Sequence, residues 1–336
     1  LIARGLSTAD MAAWLHLSAH TVRDYVKAIF EKVRVSSRGE LVAKLFAEHY
    51  APAHMARRAS RTPTTEGRGA RAATVTGMST SLAARHRGLI ALSARESHRV
   101  LKLWTQTVAA PILSSFLFIL VFGLSLGSRI KQIDGVDYEV FIVPGLIAMA
   151  MIQATYANNS ASVFQARFDR YLNDVLAAPM RPWEVNLALS IGGIVRALLI
   201  GGGLLACALA VVDVPVRHPL ELLLAVTLAL VLFSSFGVIV GVYANSWDHT
   251  AFVTNIVILP LTFLGGVFYS VDRLPAPWHE ISHANPIFYL LNAVRYGFLG
   301  TSDVSVLLSL GVTGALAAAM VAWSSWLFRT GHRLKP

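Results

Sequence analysis

Six apolar runs set what this chain can fold into. They cover approximately residues 105–127, 140–163, 184–212, 219–243, 251–270 and 303–327 of the 336. Each reaches or nears the ~20 residues with which a helix crosses ~30 Å of hydrocarbon. The shortest, the fifth, is expected to span with little tilt. Only 14% of the residues are charged, against about 25% in an ordinary soluble domain. The expected fold is therefore all-α, a protein with six transmembrane helices.

Charge sets the expected orientation. With the N-terminus inside, the inner segments carry Arg85, Arg87, Arg95, Arg99, Lys102, Arg167, Arg170, Arg181, Arg329, Arg333 and Lys335. The outer ones carry Arg129, Lys131, Arg217, Arg273 and Arg295. Eleven against five favours both termini in the cytoplasm.

The whole net charge of +10 lies in residues 1–103, and the remainder is neutral. Such a segment suits a polyanion, either nucleic acid or the anionic cytoplasmic leaflet. The lone Cys207 offers no disulfide framework and no cysteine-based metal cage. Nothing ahead of the first run reads as a cleavable signal peptide. Position 1 is Leu, which reads as a fragment, a non-standard start or a gene-model artefact.

The first 50 residues are patterned as a small helical module. Ser7 can cap a helix over about Thr8–Leu15, and Ser18 one over about Ala19–Val33. On the second, Val22, Val26, Ile29, Phe30 and Val33 form the apolar stripe, and the segment after it supplies a short third helix. The stretch "GLSTADMAAWLHLSAHTVRDYVKAIFEKVRVSSRGELVAKL" resembles the LuxR-type helix-turn-helix of bacterial regulators. The resemblance implies that Thr21, Val22, Arg23 and Lys27 face bases or phosphates, and that Lys32 and Arg38 hold the backbone. The module departs from the pattern in its first helix, which survives only as "LIAR", so it reads as truncated. Residues 51–81 are rich in Ala, Arg, Thr and Gly with few large apolar side chains. Such a linker cannot bury enough surface to order itself and is expected to be disordered. Met55 and Met78 each offer an alternative start.

The membrane domain is expected over 82–336. Leu82, Leu89, Leu92, Val100 and Leu103 alternate with basic residues, as in a helix lying in the membrane interface. After the second run, "FQARFDRYLNDVLAAPMRPWEV" has the length of one short helix. From its residues alone it serves equally as a solvated connector or as a handle for a soluble partner. After the fifth, Trp278, Phe288, Tyr289, Tyr296 and Phe298 surround Pro275, Pro277 and Pro286. That pattern predicts two short half-buried helices at the outer interface.

The succession "FIVPGLIAMAMIQ", "FDRYLNDVLAAPM" and "LTFLGGVFYSVDRLP" followed by "NP" and "RYGFLG" is similar to the permease subunits of type-2 ABC exporters. The resemblance covers about residues 95–333. It implies a homodimer of six-span permeases in the bacterial cytoplasmic membrane, driven by a separate ABC ATPase subunit that binds ATP and Mg. It also implies an ATPase-coupling helix containing Phe168, Asp169, Arg170, Tyr171, Leu172, Asp174 and Leu176. The chain carries no G-x-x-x-x-G-K-[ST] phosphate loop of its own, so no enzymatic activity or cofactor is expected in it. The wide class of drug, lipid, polyketide and glycan substrates stays open. A membrane-tethered DNA-binding regulator is the alternative.

Two further features need weighing. "HEISH" at His279–His283 matches the H-E-x-x-H zincin pattern. No third ligand follows it closely, so no metal site is expected. Arg196 falls near the middle of the third run, where a guanidinium must be paired or face water. Gln153, Asn158 and Asn159 are its candidate partners, either in an interhelical tie or along a substrate path.

Overall fold

The computed structural model describes residues 18–33 and 82–334, leaving aside 128, 129, 131, 134, 170 and 179. The helices expected on either side of Ala19–Val33, the linker, Arg38 and Arg170 lie outside the described residues. The chain divides into two compact units, Leu1–Met78 and Ser79–Pro336.

In the first unit, α1 spans Ala19–Val33. Its start is chemically determined: the Ser18 hydroxyl accepts the Thr21 N–H at 3.1 Å, satisfying one of the donors a helix start leaves without partners.

The second unit is a helical bundle. In chain order its helices are α2 (Leu82–Lys102), α3 (Ala110–Gly127), α4 (Tyr138–Phe168), α5 (Leu172–Ala177), α6 (Pro182–Leu209) and α7 (Pro219–Tyr243). Then come α8 (Trp247–Phe252), α9 (Leu259–Leu264), α10 (Trp278–Ala284), α11 (Pro286–Leu299) and α12 (Val306–Thr330). Among the described residues, five helical segments are long and apolar enough to cross a membrane: Thr105–Gly123, α4, α6, α7 and α12. The fold is predominantly rather than wholly helical. A small antiparallel hairpin pairs β1 (Gln132–Ile133) with β2 (Val136–Asp137) between α3 and α4.

The fifth run departs from a single helix over 251–270. It begins at Trp247, widens into a π turn over Val253–Ile258, and stops at Leu264. Pro260 follows that π turn just as Pro111 follows the π turn Thr105–Ala109. A proline has no N–H for the carbonyl four residues back, and a wider turn is one way to absorb the defect. Gly266, at φ +88°, then turns the chain through a conformation that side chains disfavour.

α4 is the core of the bundle, with 83% of its span window buried. Gly237 and Gly241 of α7 let the two backbones meet: a Cβ on either would lie 2.8 or 2.7 Å from the carbonyls of Tyr156 and Ser160. This is close small-residue packing, which replaces the hydrophobic effect as the driving force between helices in lipid. Several glycines of α6 likewise make close approaches inside the chain. Gly192 approaches Glu96, Gly201 approaches Met151 and Gly203 approaches Ile112.

The helix ends sort into two sets. At one end, Arg167 of α4 donates to the carbonyls of Gly241 and Ala244 that finish α7, at 3.1 and 2.9 Å. At the other, Glu139 of α4 sits against Gly123 and Gly127 of α3. There the N–H groups of Arg217 and His218 bond the carbonyls of Phe298 and Gly297. The first end carries α5; the second carries the hairpin, α10 and α11.

Candidate functional site

At the α5 end, the six described residues of the seven singled out by sequence separate by exposure. Phe168 is 74% exposed, and Asp169 and Asp174 are also exposed. Leu172 is 1% exposed, and Tyr171 and Leu176 pack against the same apolar cluster. One set is therefore free to meet a partner while the other anchors the segment. The anchor continues into α2, where the Arg95 guanidinium lies over the Tyr171 ring at 4.0 Å. Burial raises the Tyr171 hydroxyl pKa above its ordinary value, partly opposed by the charge of Arg95.

Glu96, next to Arg95, is the one acid of α2 and is only 1% exposed. It lies four residues from both Leu92 and Val100, on the buried stripe of the helix. Its carboxylate accepts the Ser162 hydroxyl of α4 at 2.7 Å and pairs with Arg99 at 3.0 Å. Arg99 donates to Asn158 Oδ1 at 3.3 Å, and Asn158 donates to Asn159 Oδ1 at 3.3 Å. Gly192 leaves room for this cluster, since its Cβ would stand 2.9 Å from that of Glu96. Sequence reading missed Glu96 and Arg99, although a single carboxylate on an apolar stripe is a readable signal.

Arg196 has another partner than those foreseen. Its Nε donates to the Thr107 carbonyl at 2.8 Å, whereas Asn158 is engaged by Arg99. The Gln153 amide nitrogen is buried with no hydrogen-bond partner among the described residues. Thr107 is four residues before Pro111, so its carbonyl is the one that proline leaves without a helical donor. Arg196 supplies that donor from α6. An apolar cavity of about 230 Å³ opens farther along the bundle, lined by Met151, Leu198, Gly202, Leu222, Leu230 and Phe298 among others.

At the opposite end Arg295 of α11 is 1% exposed. It donates to the Gly266 carbonyl, faces Asp303 at 3.7 Å and lies over the Phe141 ring at 4.3 Å. Asp303 also accepts from the Ser270 hydroxyl and the Val271 N–H, each at 3.0 Å. Asn292 bonds the Asp303 N–H at 2.8 Å and the Ser309 hydroxyl at 2.9 Å. The "GGVFYSVDR" and "RYGFLG" stretches thus meet in one buried knot. No third ligand follows HEISH in the sequence, but folding brings Asp272, seven residues upstream of His279, beside His279 and His283.

On α1, Arg23, Lys27 and Lys32 are exposed and Thr21 is half-buried. Val22, which the resemblance placed with them, is 2% exposed, and its side chain belongs to the apolar stripe.

Comparison with known proteins agrees with this geometry. The family profile "ABC-2 type transporter" matches residues 87–299. A second profile, "Bacterial regulatory proteins, luxR family", matches residues 1–45. The Inner membrane transport permease YadH of Escherichia coli (strain K12) is 40% identical over 247 residues, covering 72% of this chain and 94% of its own. Nodulation protein J of Rhizobium leguminosarum bv. viciae is 27% identical over 217 residues, 62% of this chain and 83% of that one. The Rhizobium meliloti (strain 1021) protein of the same name is 26% identical over 241 residues, 69% and 90% respectively. The chain belongs to the ABC-2 type transporter family, with a LuxR-type segment at its N-terminus.

Proposed function

We propose that the chain is the membrane-spanning subunit of an ATP-driven exporter and works with a separate ABC ATPase. The observation that carries this reading is the position of α5, a short helix with exposed Asp174, preceded by exposed Asp169, between the second and third long helices of an ABC-2 chain. ATP and Mg would be bound by the partner, whose closure moves α5 and, through it, the bundle. In this reading the α8–α9 segment makes a sixth crossing and two copies form the permease. The α5 end, with its Arg and Lys residues, faces the cytoplasm of a bacterial inner membrane, with both termini on that side. The apolar cavity fits a substrate of the drug, lipid, polyketide or glycan class that brings an apolar portion.

Affinity purification from native membranes tests the proposal. It should bring down a nucleotide-binding subunit, and charge reversal of Asp169 and Asp174 to Lys should release that subunit while leaving the permease folded. Recovery of the permease with no such subunit would count against it. We place transport in the residues beyond Met78, so a chain beginning there should keep both the association and the transport.

A further inference from the structure

We propose that Asp272, His279 and His283 form a binding site for a divalent transition cation, with Zn²⁺ the best fit. The inference is independent of the transport reading. His279 and His283 stand one turn apart on α10 (Trp278–Ala284), so both rings project from one face. Their ring centroids are 4.3 Å apart. Asp272 comes from the 3₁₀ turn Val271–Arg273, whose first N–H is held by Asp303 at 3.0 Å. One donor atom from each of the three side chains lies within 4.8 Å of the others, and His279 Nε2 is 3.9 Å from Asp272 Oδ1.

The surroundings orient the His283 ring as in a metal site. His283 Nδ1 lies 2.9 Å from the His279 carbonyl. A proton on Nδ1 makes that bond and leaves the Nε2 lone pair for an ion, the arrangement that outer hydrogen bonds impose on metal-binding histidines. The His283 carbonyl accepts the Tyr289 hydroxyl at 2.9 Å, and the His283 ring rests on Phe288 at 4.9 Å. Two imidazoles and a carboxylate favour zinc-like ions over Ca²⁺ or Mg²⁺, which prefer all-oxygen shells. Metal–ligand bonds of about 2.0–2.1 Å in a tetrahedron place donors roughly 3.3 Å apart. His279 and Asp272 must therefore draw in by about 0.6 Å, and no pair of the three by more than about 1.5 Å. Side-chain rotation supplies this, since His279 and Asp272 have 42% and 56% of their side-chain surface exposed. Water would fill the fourth position of a bound ion. Glu280, on the same short helix, is not one of the three ligands.

The test uses the full-length protein in detergent, without a polyhistidine tag and stripped with chelator. Titration with ZnCl₂ should show one ion per chain bound at micromolar concentration or below. His279→Gln and His283→Gln should each weaken it at least tenfold, and Glu280→Gln should not change it. Co²⁺ in the same site should give tetrahedral visible absorption that both histidine variants lose. The chain has 11 histidines, so unchanged affinity in the His279→Gln/His283→Gln double variant would overturn the assignment, as would the lack of saturable binding. If a variant does not fold, X-ray absorption of the zinc-loaded parent decides. Two imidazole nitrogens with oxygen ligands support the site, and any other first shell refutes it.

Discussion

The Arg95 guanidinium lies over the Tyr171 ring at 4.0 Å, while the adjacent Glu96 accepts the Ser162 hydroxyl at 2.7 Å. Successive residues of α2 thus hold the α5 segment and the core helix α4. The α5 segment is joined to the bundle by two routes: directly through the chain, and through α2.

A cation over a ring at a partly exposed site contributes about 0.5–1 kcal/mol, enough to bias a motion without deciding the fold. Tyr171→Phe keeps the ring and should keep ATP-driven transport. Tyr171→Leu and Arg95→Gln should each reduce it several-fold with little loss of thermal stability, measured as uptake into inside-out vesicles. With its pKa raised above 10.0, the Tyr171 hydroxyl stays neutral throughout pH 6–9, and transport should show no step from this group there. The sign of its linkage is that stability falls as pH rises above the unfolded value of ~10.

Glu96→Gln keeps one acceptor oxygen but removes the charge that pairs with Arg99 and strengthens the Ser162 bond. Glu96→Gln should cost about 1–3 kcal/mol. Arg99→Met should cost more, because it leaves the Glu96 carboxylate, 1% exposed, without its counter-charge. The Arg99 left by Glu96→Gln, in contrast, has a third of its side chain exposed and is partly screened by solvent. Thermal unfolding midpoints in one detergent would order the two, and the reverse order would contradict the burial argument.

Arg196 serves the carbonyl that Pro111 leaves without a donor, so the two positions should be coupled. Arg196→Met alone should destabilise the protein by about 1–3 kcal/mol. Adding Pro111→Ala restores a backbone N–H to Thr107 and should recover a large part of that loss. Additive effects would mean that Arg196 has a different task, such as contact with substrate.

Two glycines of α6 separate packing from helix propensity. A Cβ at Gly193 would overlap Asn159 Oδ1, whereas one at Gly202 meets nothing within 4 Å. Gly193→Ala should cost about 1–3 kcal/mol by overpacking. Gly202→Ala should be neutral or stabilise by up to ~1 kcal/mol. Thermal midpoints of the two variants check the pair.

Much of this architecture was legible in the sequence because lipid imposes a simple rule: a run of ~20 apolar residues is a helix. The α1 boundaries were legible because Ser18 is a cap and the apolar stripe ends at Val33. What escaped was set by partners far apart in the chain. The fifth run read as continuous because hydropathy does not register the carbonyl that Pro260 leaves without a donor. Arg196 looked like a charge in need of polar side chains, when its acceptor is a backbone carbonyl that no composition count can show. The approach of Asp272 to the two histidines escaped because HEISH is a local motif, and the third group lies upstream of it. Val22 sits both in the recognition pattern and on the apolar stripe, and its burial assigns it to the stripe.

Cross-linking at α5 tests the central claim most directly. With Cys207 replaced by Ala, a cysteine at Asp174 should cross-link to the ATPase subunit in the assembled complex. A cysteine at the exposed Asp213, between α6 and α7 at the other end of the bundle, should not. Cross-linking from 213, or none from 174 while the complex stays intact, would contradict the account.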